Sequence, residues 1–530
     1  MPTLEWIGKE KVINHHQEVP FRVLERQYSY GNNGQVEADN GSENMIIHGD
    51  NLEALKALLP RYEGKIKCIY IDPPYNTGNE NWVYNDNVND PKIKKWLGEV
   101  VGKEGEDLTR HDKWLCMMYP RLKLLQKLLS DDGVIFISID SSEVAALHMV
   151  CDEIFGQTNF VDIISWFKKA SPSNDAQYFS NDVEYILVFC KNKSIWHPHR
   201  LPLTDKQRKY YTNPDEDERG DWNSATYTCN KSRSERPNLY YPIVNPNTGE
   251  SVYPSETAVW KYSKEQTAIY QRDNRLYWGV NGDAKMPRFK KFLSEHEGVV
   301  NRTLWHYNDV NHTQGASNQL KQLGISGFAT PKPFELVERI ITIASEPDSI
   351  VLDSFAGSGT TGHAVLNMNK ADGGKRKFIL VEMGDYAESI TAERVKRVIQ
   401  GYGTGKNAKE GTGGDFSYYE LGEPLLIGEN LNEAVGTEKI REYVWYTETK
   451  QPFVPTDCDN PYYLGKHNDT GYYFYYEKQK ITVLDYDFLS TVTEKTDSTV
   501  IYTDRCSISE DKLIQMGIVF KKIPRDISKI

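Results

Sequence analysis

The run Asp72-Pro73-Pro74-Tyr75 contains residue types that can hold an amino group attached to a planar ring. It follows the apolar segment Cys-Ile-Tyr-Ile, and α/β proteins bind ligands at the carboxyl ends of parallel strands. Two successive prolines donate no backbone hydrogen bond and hold φ near about −65°. Asp72 and the Pro73 carbonyl can therefore accept from one amino group while Tyr75 presents its ring face. The alternative is a proline-bounded turn with a capping aspartate and a packing tyrosine.

A second segment, residues 351–361, reads Val-Leu-Asp-Ser-Phe-Ala-Gly-Ser-Gly-Thr-Thr. This pattern predicts a buried strand joined to a helix by a tight turn at Gly357 and Gly359. Glycines in such a turn let a nucleoside cofactor lie close to the backbone. A phosphate-binding loop requires lysine and then serine or threonine after its last glycine. Because Gly359 is followed by two threonines, the sequence disfavours ATP as the ligand.

The glycine spacing also fits the G-x-G-x-x-G pattern of dinucleotide-binding proteins, with Gly362 as the third glycine. Glu382 ends the strand-like run Phe-Ile-Leu-Val-Glu about twenty residues later, where a carboxylate can hold the hydroxyls of a ribose. Any cofactor that contains adenosine has such ribose hydroxyls, so this feature does not identify the cofactor. A nicotinamide dehydrogenase is therefore one interpretation, but it gives no role to the Asp-Pro-Pro-Tyr run.

Taken together, the two segments resemble the motifs of S-adenosylmethionine-dependent DNA amino-methyltransferases. The resemblance spans most of residues 41–400, and the motif order is the circular permutation called the β class. It implies S-adenosylmethionine as cofactor and a catalytic site at Asp72, Pro73, Pro74 and Tyr75. The positions implied to bind the cofactor are Asp50, Lys332, Asp353, Phe355, Gly357, Gly359, Thr360 and Glu382.

Several of these assignments have simple structural alternatives. Asp50 follows the strand-like run Met-Ile-Ile-His-Gly and can equally cap the next helix. Lys332 lies in Thr-Pro-Lys-Pro, in a region that lines the methionine end of the cofactor in the family, although proline before a helix is common. Trp166 and Lys168 end a strand in the region that forms part of the family's target-base pocket. For these two residues the alternative is burial in the sheet.

Further segments resemble the modification subunit of type III restriction-modification systems. They are the run from Leu108 to Leu122, the Asn-Thr-Gly after the tyrosine of the first motif, and a tail that begins Tyr-Tyr-Glu-Leu-Gly-Glu-Pro. The resemblance implies double-stranded DNA as substrate, a homodimer, and a helicase-nuclease restriction subunit as partner. The carboxy-terminal region would then serve dimerisation or docking.

The implied reaction is site-specific methyl transfer to N6 of an adenine that has left the duplex. It needs no covalent intermediate, and the chain has no Pro-Cys dipeptide of the cytosine-C5 kind. Cytosine N4 is an alternative acceptor, because it uses the same chemistry, more often with serine in place of the motif aspartate. Asp72 favours adenine. A noncatalytic DNA-recognition subunit with the same fold is the second alternative.

Alternating strand-like and helical runs on both sides of an insert predict an α/β fold, a Rossmann-like doubly wound sheet. The insert is rich in Tyr, Trp, Asn, Pro and Arg and is expected to recognise the target sequence. A small α+β domain is expected at the carboxy terminus. The predicted segments are an N-terminal extension (1–40), the first methyltransferase segment (41–192), the target-recognition insert (193–325), the second methyltransferase segment (326–400), a glycine-rich flexible linker (401–416) and a carboxy-terminal interaction domain (417–530).

Arginines of the insert are the candidates for reading bases, because arginine can form bidentate contacts with guanine. Phosphate contacts or a solvated surface are the alternative. The candidates are Arg233, Arg236, Arg275 and Arg288.

The composition excludes several classes of protein. A net charge of −12 over 530 residues excludes a nonspecific polycation, although a local basic patch can still bind DNA. Seven scattered cysteines without a Cys-x-x-Cys pair predict reduced thiols in the cytoplasm and neither a disulfide scaffold nor a metal site. No run of about 18 apolar residues and no signal-peptide pattern occur, so no membrane segment is expected.

Overall fold

The structure, a computed structural model, describes residues 3–76, 110–172, 176–456 and 458–525. The Thr-Gly that follows Asn76 and the start of the run from Leu108 to Leu122 lie outside the described residues. The chain divides into two compact units, the first comprising Met1–His199 and Arg302–Ile530 and the second Arg200–Asn301.

The first unit contains helices, a large sheet and a smaller sheet. Its helices are α1 (Lys9–Val12), α2 (His15–Glu18), α3 (Asn51–Tyr62), α4 (Arg110–Leu128), α5 (Val144–Phe155), α6 (Tyr307–Val310), α7 (Thr313–Gln322), α8 (Phe334–Ala344), α9 (Thr360–Asp372), α10 (Glu393–Gln400), α11 (Thr437–Thr449), α12 (Tyr486–Leu489) and α13 (Glu510–Gln515). The strands of the large sheet are β1 (Arg22–Gly31), β2 (Gly34–Val36), β3 (Met45–His48), β4 (Ile66–Ile71), β5 (Leu129–Ile139), β6 (Phe160–Phe167), β7 (Val183–Cys190), β8 (Leu304–Trp305), β9 (Ile350–Asp353), β10 (Lys377–Glu382) and β11 (Phe416–Pro424). The strands of the smaller sheet are β12 (Tyr463–His467), β13 (Thr470–Phe474), β14 (Ser498–Thr503) and β15 (Ile518–Lys522).

Six neighbouring strands of the large sheet run parallel, in the order β5-β4-β9-β10-β3-β11. Beyond β5, the strand β7 is antiparallel to both β5 and β6, and β8 pairs with β6. At the other end, β1 and β2 continue the sheet as antiparallel strands. The carboxyl ends of β3, β4, β9 and β10 therefore lie along one edge.

Alternate residues of the parallel strands face opposite sides of the sheet. Ile69 and Ile71 of β4 are fully buried in the core that also holds the apolar residues of α3, α4 and α5. On the other side, Gly362 of α9 packs against β10, where an added Cβ would lie 3.1 Å from Leu380. Each buried aliphatic side chain contributes roughly 1.5–3 kcal/mol to folding. Because helices cover both faces, the predicted doubly wound α/β fold is confirmed.

The domain boundaries predicted at residues 40 and 417 do not match the sheet, because two of its strands lie beyond them. The strand β1 lies in the predicted N-terminal extension, and β11 lies where a separate carboxy-terminal domain was expected to begin. Both belong to the large sheet, since β11 pairs with β3 and β1. Tyr28 stacks on Tyr418 with ring centroids 5.2 Å apart, and Ser29 Oγ lies 2.8 Å from Ser417 Oγ. Pairing between residues this distant in sequence leaves no local signal in either segment.

The glycine-rich segment 401–416 is hydrogen-bonded, although its composition predicts a flexible linker. Gly401–Tyr402 pairs antiparallel with Lys409–Glu410, and the N–H of Thr412 donates to the end of α10. Gly403 has φ of 78°, a left-handed conformation that glycine adopts without steric cost. The glycines here form a tight hairpin.

The second unit has its own aromatic core. It is shorter than the predicted insert, because the residues flanking it, including those of β8, pair within the first unit. The core residues are Tyr227, Tyr241, Ile243, Trp260, Leu276, Trp278 and Phe289. The helices and strands of this unit are Asp205–Arg208, Lys264–Arg272, Trp222–Thr226, Thr228–Cys229, Ile243–Val244, Ser251–Val252, Val259–Trp260, Leu276–Tyr277 and Arg288–Phe292.

Candidate active site

Four carboxylates lie at the carboxyl edge of the large sheet. Asp72 follows β4, Asp353 ends β9, Glu382 ends β10 and Asp50 follows β3. These strands are adjacent and parallel, so the Asp72 turn and the glycine turn after Asp353 are direct neighbours. This is the edge at which parallel sheets bind ligands.

The Asp-Pro-Pro-Tyr turn is held from both ends. Trp114 Nε1 on α4 donates to the Pro74 carbonyl at 2.6 Å. The Tyr75 hydroxyl lies 2.8 Å from Asp72 Oδ1 and 3.0 Å from Glu184 Oε2, so it donates within this pair of carboxylates. The prediction that Asp72 and Tyr75 act at one place therefore agrees with their positions.

Lys332 binds Asp72 directly. Its Nζ lies 2.8 Å from Oδ1 and 2.7 Å from Oδ2 of Asp72, and 3.5 Å from Glu184 Oε2. Lys168 Nζ donates to Glu184 Oε1 at 2.9 Å. Lys332 was expected to line the cofactor, and the structure places its ammonium group on Asp72. Two lysines and two carboxylates thus form one charge cluster around Tyr75.

Burial and charge shift the pKa values in this cluster. Burial raises the pKa of Asp72, against the opposing effect of Lys332. Burial also acts to raise the pKa of Glu184, but Lys332 and Lys168 lower it below its ordinary value. Burial acts to lower the pKa of Lys332, whereas Asp72 and Glu184 bring it above its ordinary value. The two carboxylates therefore hold Lys332 charged, and the two lysines favour the charged form of Glu184.

The glycine turn after β9 is tight because its glycines have left-handed φ values, 52° for Gly357 and 77° for Gly359. A Cβ on Gly359 would lie 2.8 Å from the Thr391 carbonyl oxygen, which leaves no room for a side chain. Asp353 fixes the start of the turn, since it accepts from the Phe355 N–H at 3.1 Å and from Thr361 Oγ1 at 2.6 Å. Burial raises the pKa of Asp353 to about 7.

Glu382 ties the glycine turn to the next loop. Its Oε2 accepts from the Gly357 N–H at 2.7 Å, and its Oε1 accepts from the Gly384 N–H at 2.8 Å and from the Tyr386 hydroxyl at 3.0 Å. Burial raises the pKa of Glu382. A carboxylate has about four acceptor positions. The Met383 N–H also bonds to this carboxylate, so a ligand hydroxyl would share an oxygen with one of these donors.

Asp50 caps α3, as the structural alternative predicted. Its Oδ1 accepts from the N–H groups of Leu52 at 2.8 Å and Glu53 at 3.3 Å, while Arg121 lies 3.4 Å from Oδ2. The next residue, Asn51, donates to the Ser354 carbonyl at 3.1 Å. The turn after β3 is thereby fastened to the turn after β9.

The edge fits an adenosine-type cofactor on three observations. The glycine turn has a cradle that a Cβ would fill. Glu382 ends the strand beside this turn and supplies a carboxylate, the group that can hold a ribose hydroxyl. Ser354 Oγ is buried in the turn with no hydrogen-bond partner among the described residues. Phe355 and Thr360 flank the same turn, and Thr360 Oγ1 donates to the Lys332 carbonyl at 3.2 Å.

The two predicted target-base residues have different surroundings. Trp166 is 1% exposed, and its Nε1 donates to the Asn311 carbonyl at 3.1 Å, so it packs in the sheet as its structural alternative predicted. Lys168 joins the charge cluster through Glu184. Of the pair, only Lys168 belongs to the charge cluster around Tyr75.

The predicted arginines of the insert also differ from one another. Arg275 pairs with Asp273 at 2.6 Å and with Glu295 at 2.5 Å, so its guanidinium group is already engaged within the second unit. Arg288 is exposed and donates to Ser224 Oγ at 2.9 Å. Arg233 is exposed and lies over the Tyr240 ring at 4.7 Å, and Arg236 is exposed.

Sequence reasoning missed Glu184 and the residues that brace the turns. Glu184 is the acidic residue of the otherwise apolar run Val-Glu-Tyr-Ile-Leu-Val-Phe-Cys, and an acid in a buried strand was the available signal. Two buried arginines on helices, Arg121 and Arg394, were also missed. Arg394 donates to Ser358 and Thr360 at 2.9 and 2.7 Å.

Within the described ranges, no group of three or more His, Cys, Asp or Glu side chains could hold a metal ion. In the same part of the chain, no helix is both long enough and apolar enough to cross a membrane. All seven cysteines are free, and four of them are buried.

The fold and this edge define an α/β protein in which a glycine turn for a nucleoside cofactor adjoins an acid-proline turn for an amino group. A family model described as "DNA methylase" (N6_N4_Mtase) matches residues 66–394. The chain belongs to this family, and the predicted resemblance is confirmed.

Three relatives illustrate the likeness. The StyLTI Mod subunit of a type III restriction-modification enzyme from Salmonella typhimurium is 34% identical over 71% of this chain and 57% of its own length. The EcoPI Mod subunit from Escherichia phage P1 is 33% identical over 72% of this chain and 63% of its own. The type II methyltransferase M.KpnI from Klebsiella pneumoniae is 34% identical over 65% of this chain and 81% of its own. The chain thus spans less than two thirds of the length of the two Mod subunits.

Proposed function

We propose that the protein is a site-specific DNA methyltransferase that transfers a methyl group from S-adenosylmethionine to N6 of an adenine in a short duplex sequence. The observation that carries this proposal is the adjacency of the Asp72 turn and the glycine turn at the ends of the neighbouring strands β4 and β9. One turn suits an amino group and the other suits a nucleoside cofactor. Membership in the DNA methylase family supports the same function.

Asp72 and the Pro73 carbonyl activate the amino group of the base. The lone pair of this nitrogen is delocalised into the ring, so the amine is a poor nucleophile. When both N–H bonds are accepted, the nitrogen becomes pyramidal and directs its lone pair out of the ring plane. With S-adenosylmethionine bound, the nitrogen would take its methyl group as the carbon-sulfur bond breaks, and one N–H proton would leave the nitrogen. Asp72, whose pKa burial raises, is placed to take that proton. Positioning and electrostatics supply the rate gain, with no covalent intermediate.

Residues of the glycine turn hold the cofactor. When bound, S-adenosylmethionine supplies an electrophilic methyl group. Gly357 and Gly359 let it approach the backbone, Glu382 holds a ribose hydroxyl, and Phe355 and Asp50 bound the site. Asp353 and Thr360 keep the turn in shape through their hydrogen bonds.

We further propose that the protein is the modification and recognition subunit of a type III system in the cytoplasm, acting as a homodimer with a helicase-nuclease restriction subunit. The identity to two type III Mod subunits supports this part of the proposal. Base reading falls to exposed side chains of the second unit, with Arg233, Arg236 and Arg288 as candidates.

Two exposed aromatic residues are placed to stabilise the opened duplex. A duplex adenine must leave the stack to reach Asp72, at a cost of a few kcal/mol. Tyr178 and Phe179 are 84% and 94% exposed in the segment between β6 and β7. The base of this segment is closed by the Lys168 N–H, which donates to the Asp182 carbonyl at 2.9 Å. Aromatic side chains there can stack on the bases beside the vacated position.

We expect the double variant Tyr178→Ala, Phe179→Ala to methylate a matched duplex about 10- to 100-fold more slowly, since stacking is worth about 1–3 kcal/mol per base. A duplex whose target adenine faces an abasic site should restore most of the rate, because it opens without help. Tyr486→Ala, at another exposed tyrosine, serves as the control and should behave as the wild type on both duplexes. An equal loss on both duplexes would contradict the stacking role.

The test of the proposed function is to incubate the purified protein with S-adenosylmethionine and unmethylated plasmid and to map modified bases by single-molecule sequencing. We expect methylated adenine at one short motif, on one strand only. Methylated cytosine in place of methylated adenine would show that cytosine is the acceptor. Cofactor binding without any modified base would favour a noncatalytic recognition subunit.

A further inference from the structure

The ammonium group of Lys332 occupies the acceptor atoms that the reaction assigns to the amino group of the base. It contacts both oxygens of Asp72, at 2.8 and 2.7 Å, and lies 4.9 Å from the centre of the Tyr75 ring. The Asp72 carboxylate also accepts from the Tyr75 hydroxyl. An incoming amine therefore has to displace Lys332 before it can bind Asp72.

A second carboxylate lies within reach of the displaced ammonium group. Glu184 Oε2 is 3.5 Å from Lys332 Nζ, and the Lys332 side chain is only 9% exposed. A buried charge that loses its partner is costly, so the lysine needs another acceptor close by. Glu184 is held in place, because it pairs with Trp166 of the neighbouring strand β6 and Lys168 binds its other oxygen.

We propose that Lys332 is a placeholder for the target amino group: it holds Asp72 while the base pocket is empty and passes to Glu184 when an amino group arrives. The proposal rests on the proposed function of methylating a base amine. It explains how a deeply placed carboxylate stays paired before the substrate binds. Lys332 and Glu184 are positioning residues in this scheme, since they act through Asp72.

The placeholder makes a prediction about bases that lack the amino group. Purine has the ring of adenine without the exocyclic amine. When purine enters the wild-type pocket, Lys332 stays on Asp72 and no acceptor is left unpaired. Without Lys332, purine leaves Asp72 with only the Tyr75 hydroxyl as a donor, whereas adenine supplies the missing N–H groups. Without the carboxylate of Glu184, the Lys332 that adenine displaces has no second carboxylate to bind. Purine does not displace Lys332, so its binding is unaffected.

The experiment compares equilibrium dissociation constants for duplexes that carry adenine or purine at the mapped target position, with saturating sinefungin as an unreactive cofactor analogue. The readout is the purine-to-adenine ratio of dissociation constants. We expect Lys332→Met to raise this ratio at least about tenfold over the wild type, the effect of leaving a buried acceptor unpaired. We expect Glu184→Gln to lower it by about tenfold through weaker binding of the adenine duplex. A purely structural role would change both duplexes alike.

Lys370→Met is the matched control, because Lys370 also pairs with a carboxylate, Glu410, at 3.0 Å but lies outside the site. Its ratio should equal that of the wild type. Ratios within about twofold of the wild type for both site variants would overturn the proposal. If Lys332→Met does not fold, the Glu184→Gln ratio decides alone. The absence of methylation at any mapped site would overturn the proposed function instead, which separates the two failures.

Discussion

Asp72→Ala is expected to abolish methyl transfer while the protein still folds and still binds cofactor and DNA. The substitution removes an acceptor of the amine protons, and preorganised groups of this kind contribute about 10²–10³-fold or more to a rate. It leaves Lys332 beside Glu184, so no buried lysine charge is left without a partner. The measurement is a single-turnover methylation rate, which should fall at least about 10³-fold.

The matched control for this variant is Asp132→Ala. Asp132 also pairs with a lysine, Lys67, but follows the start of β5 and is half exposed. Its single-turnover rate should remain that of the wild type. An Asp72→Ala protein that methylates within about tenfold of the wild-type rate would contradict the mechanism.

Gly359→Ala is expected to remove most cofactor binding. The φ of 77° costs a residue with a Cβ about 1–2 kcal/mol. The new Cβ would also lie 2.8 Å from the Thr391 carbonyl oxygen, and such overpacking costs about 1–3 kcal/mol. The turn must shift to relieve the contact, and the cofactor cradle shifts with it. Calorimetric titration with S-adenosylmethionine should show at least about a tenfold loss of affinity.

Gly373→Ala separates backbone strain from the clash. Gly373 has nearly the same φ, 72°, at the end of α9, but an added Cβ would meet no atom within 4 Å. We expect this variant to lower the free energy of unfolding by about 1–2 kcal/mol and to bind the cofactor normally. Equal loss of cofactor affinity in both variants would show that the close approach at Gly359 is unimportant.

The sequence allowed the centre of the site to be predicted because its signals are local. Asp72 and Asp353 each stand at the end of an apolar run, and parallel strands place such ends at one edge. The glycine turn could be predicted because its left-handed φ values favour glycine, so Gly357 and Gly359 mark it in the sequence. Both predictions depend on a strand and the few residues after it, which a single sequence displays in order.

The partners of these residues could not be predicted, since they come from distant parts of the chain. Lys332 meets Asp72 across 260 positions, and the Tyr75 hydroxyl meets Glu184 across 109. Resemblance placed Lys332 near the cofactor, but only the folded structure brings its ammonium group onto the aspartate. The ion pairs of Arg275 were hidden in the same way, because one of its partners, Glu295, lies on another segment of the second unit.

The predicted domain boundaries differ from the structure for a related reason. The aromatic run Phe-Ser-Tyr-Tyr-Glu-Leu of β11 is typical of strands in general, so it fits a separate domain as well as the large sheet. Its partner β3 lies near the other end of the chain. Register between such strands depends on tertiary packing, which local propensity does not encode.

The central claim is that Asp72 serves transfer of a methyl group to a base amine. The most direct measurement is mass spectrometry of nucleosides from unmethylated plasmid treated with methyl-deuterated S-adenosylmethionine and either the wild-type protein or Asp72→Ala. We expect deuterated N6-methyladenine from the wild type and none from the variant. Labelled product from both proteins, or from neither while both bind the cofactor and DNA, would contradict it.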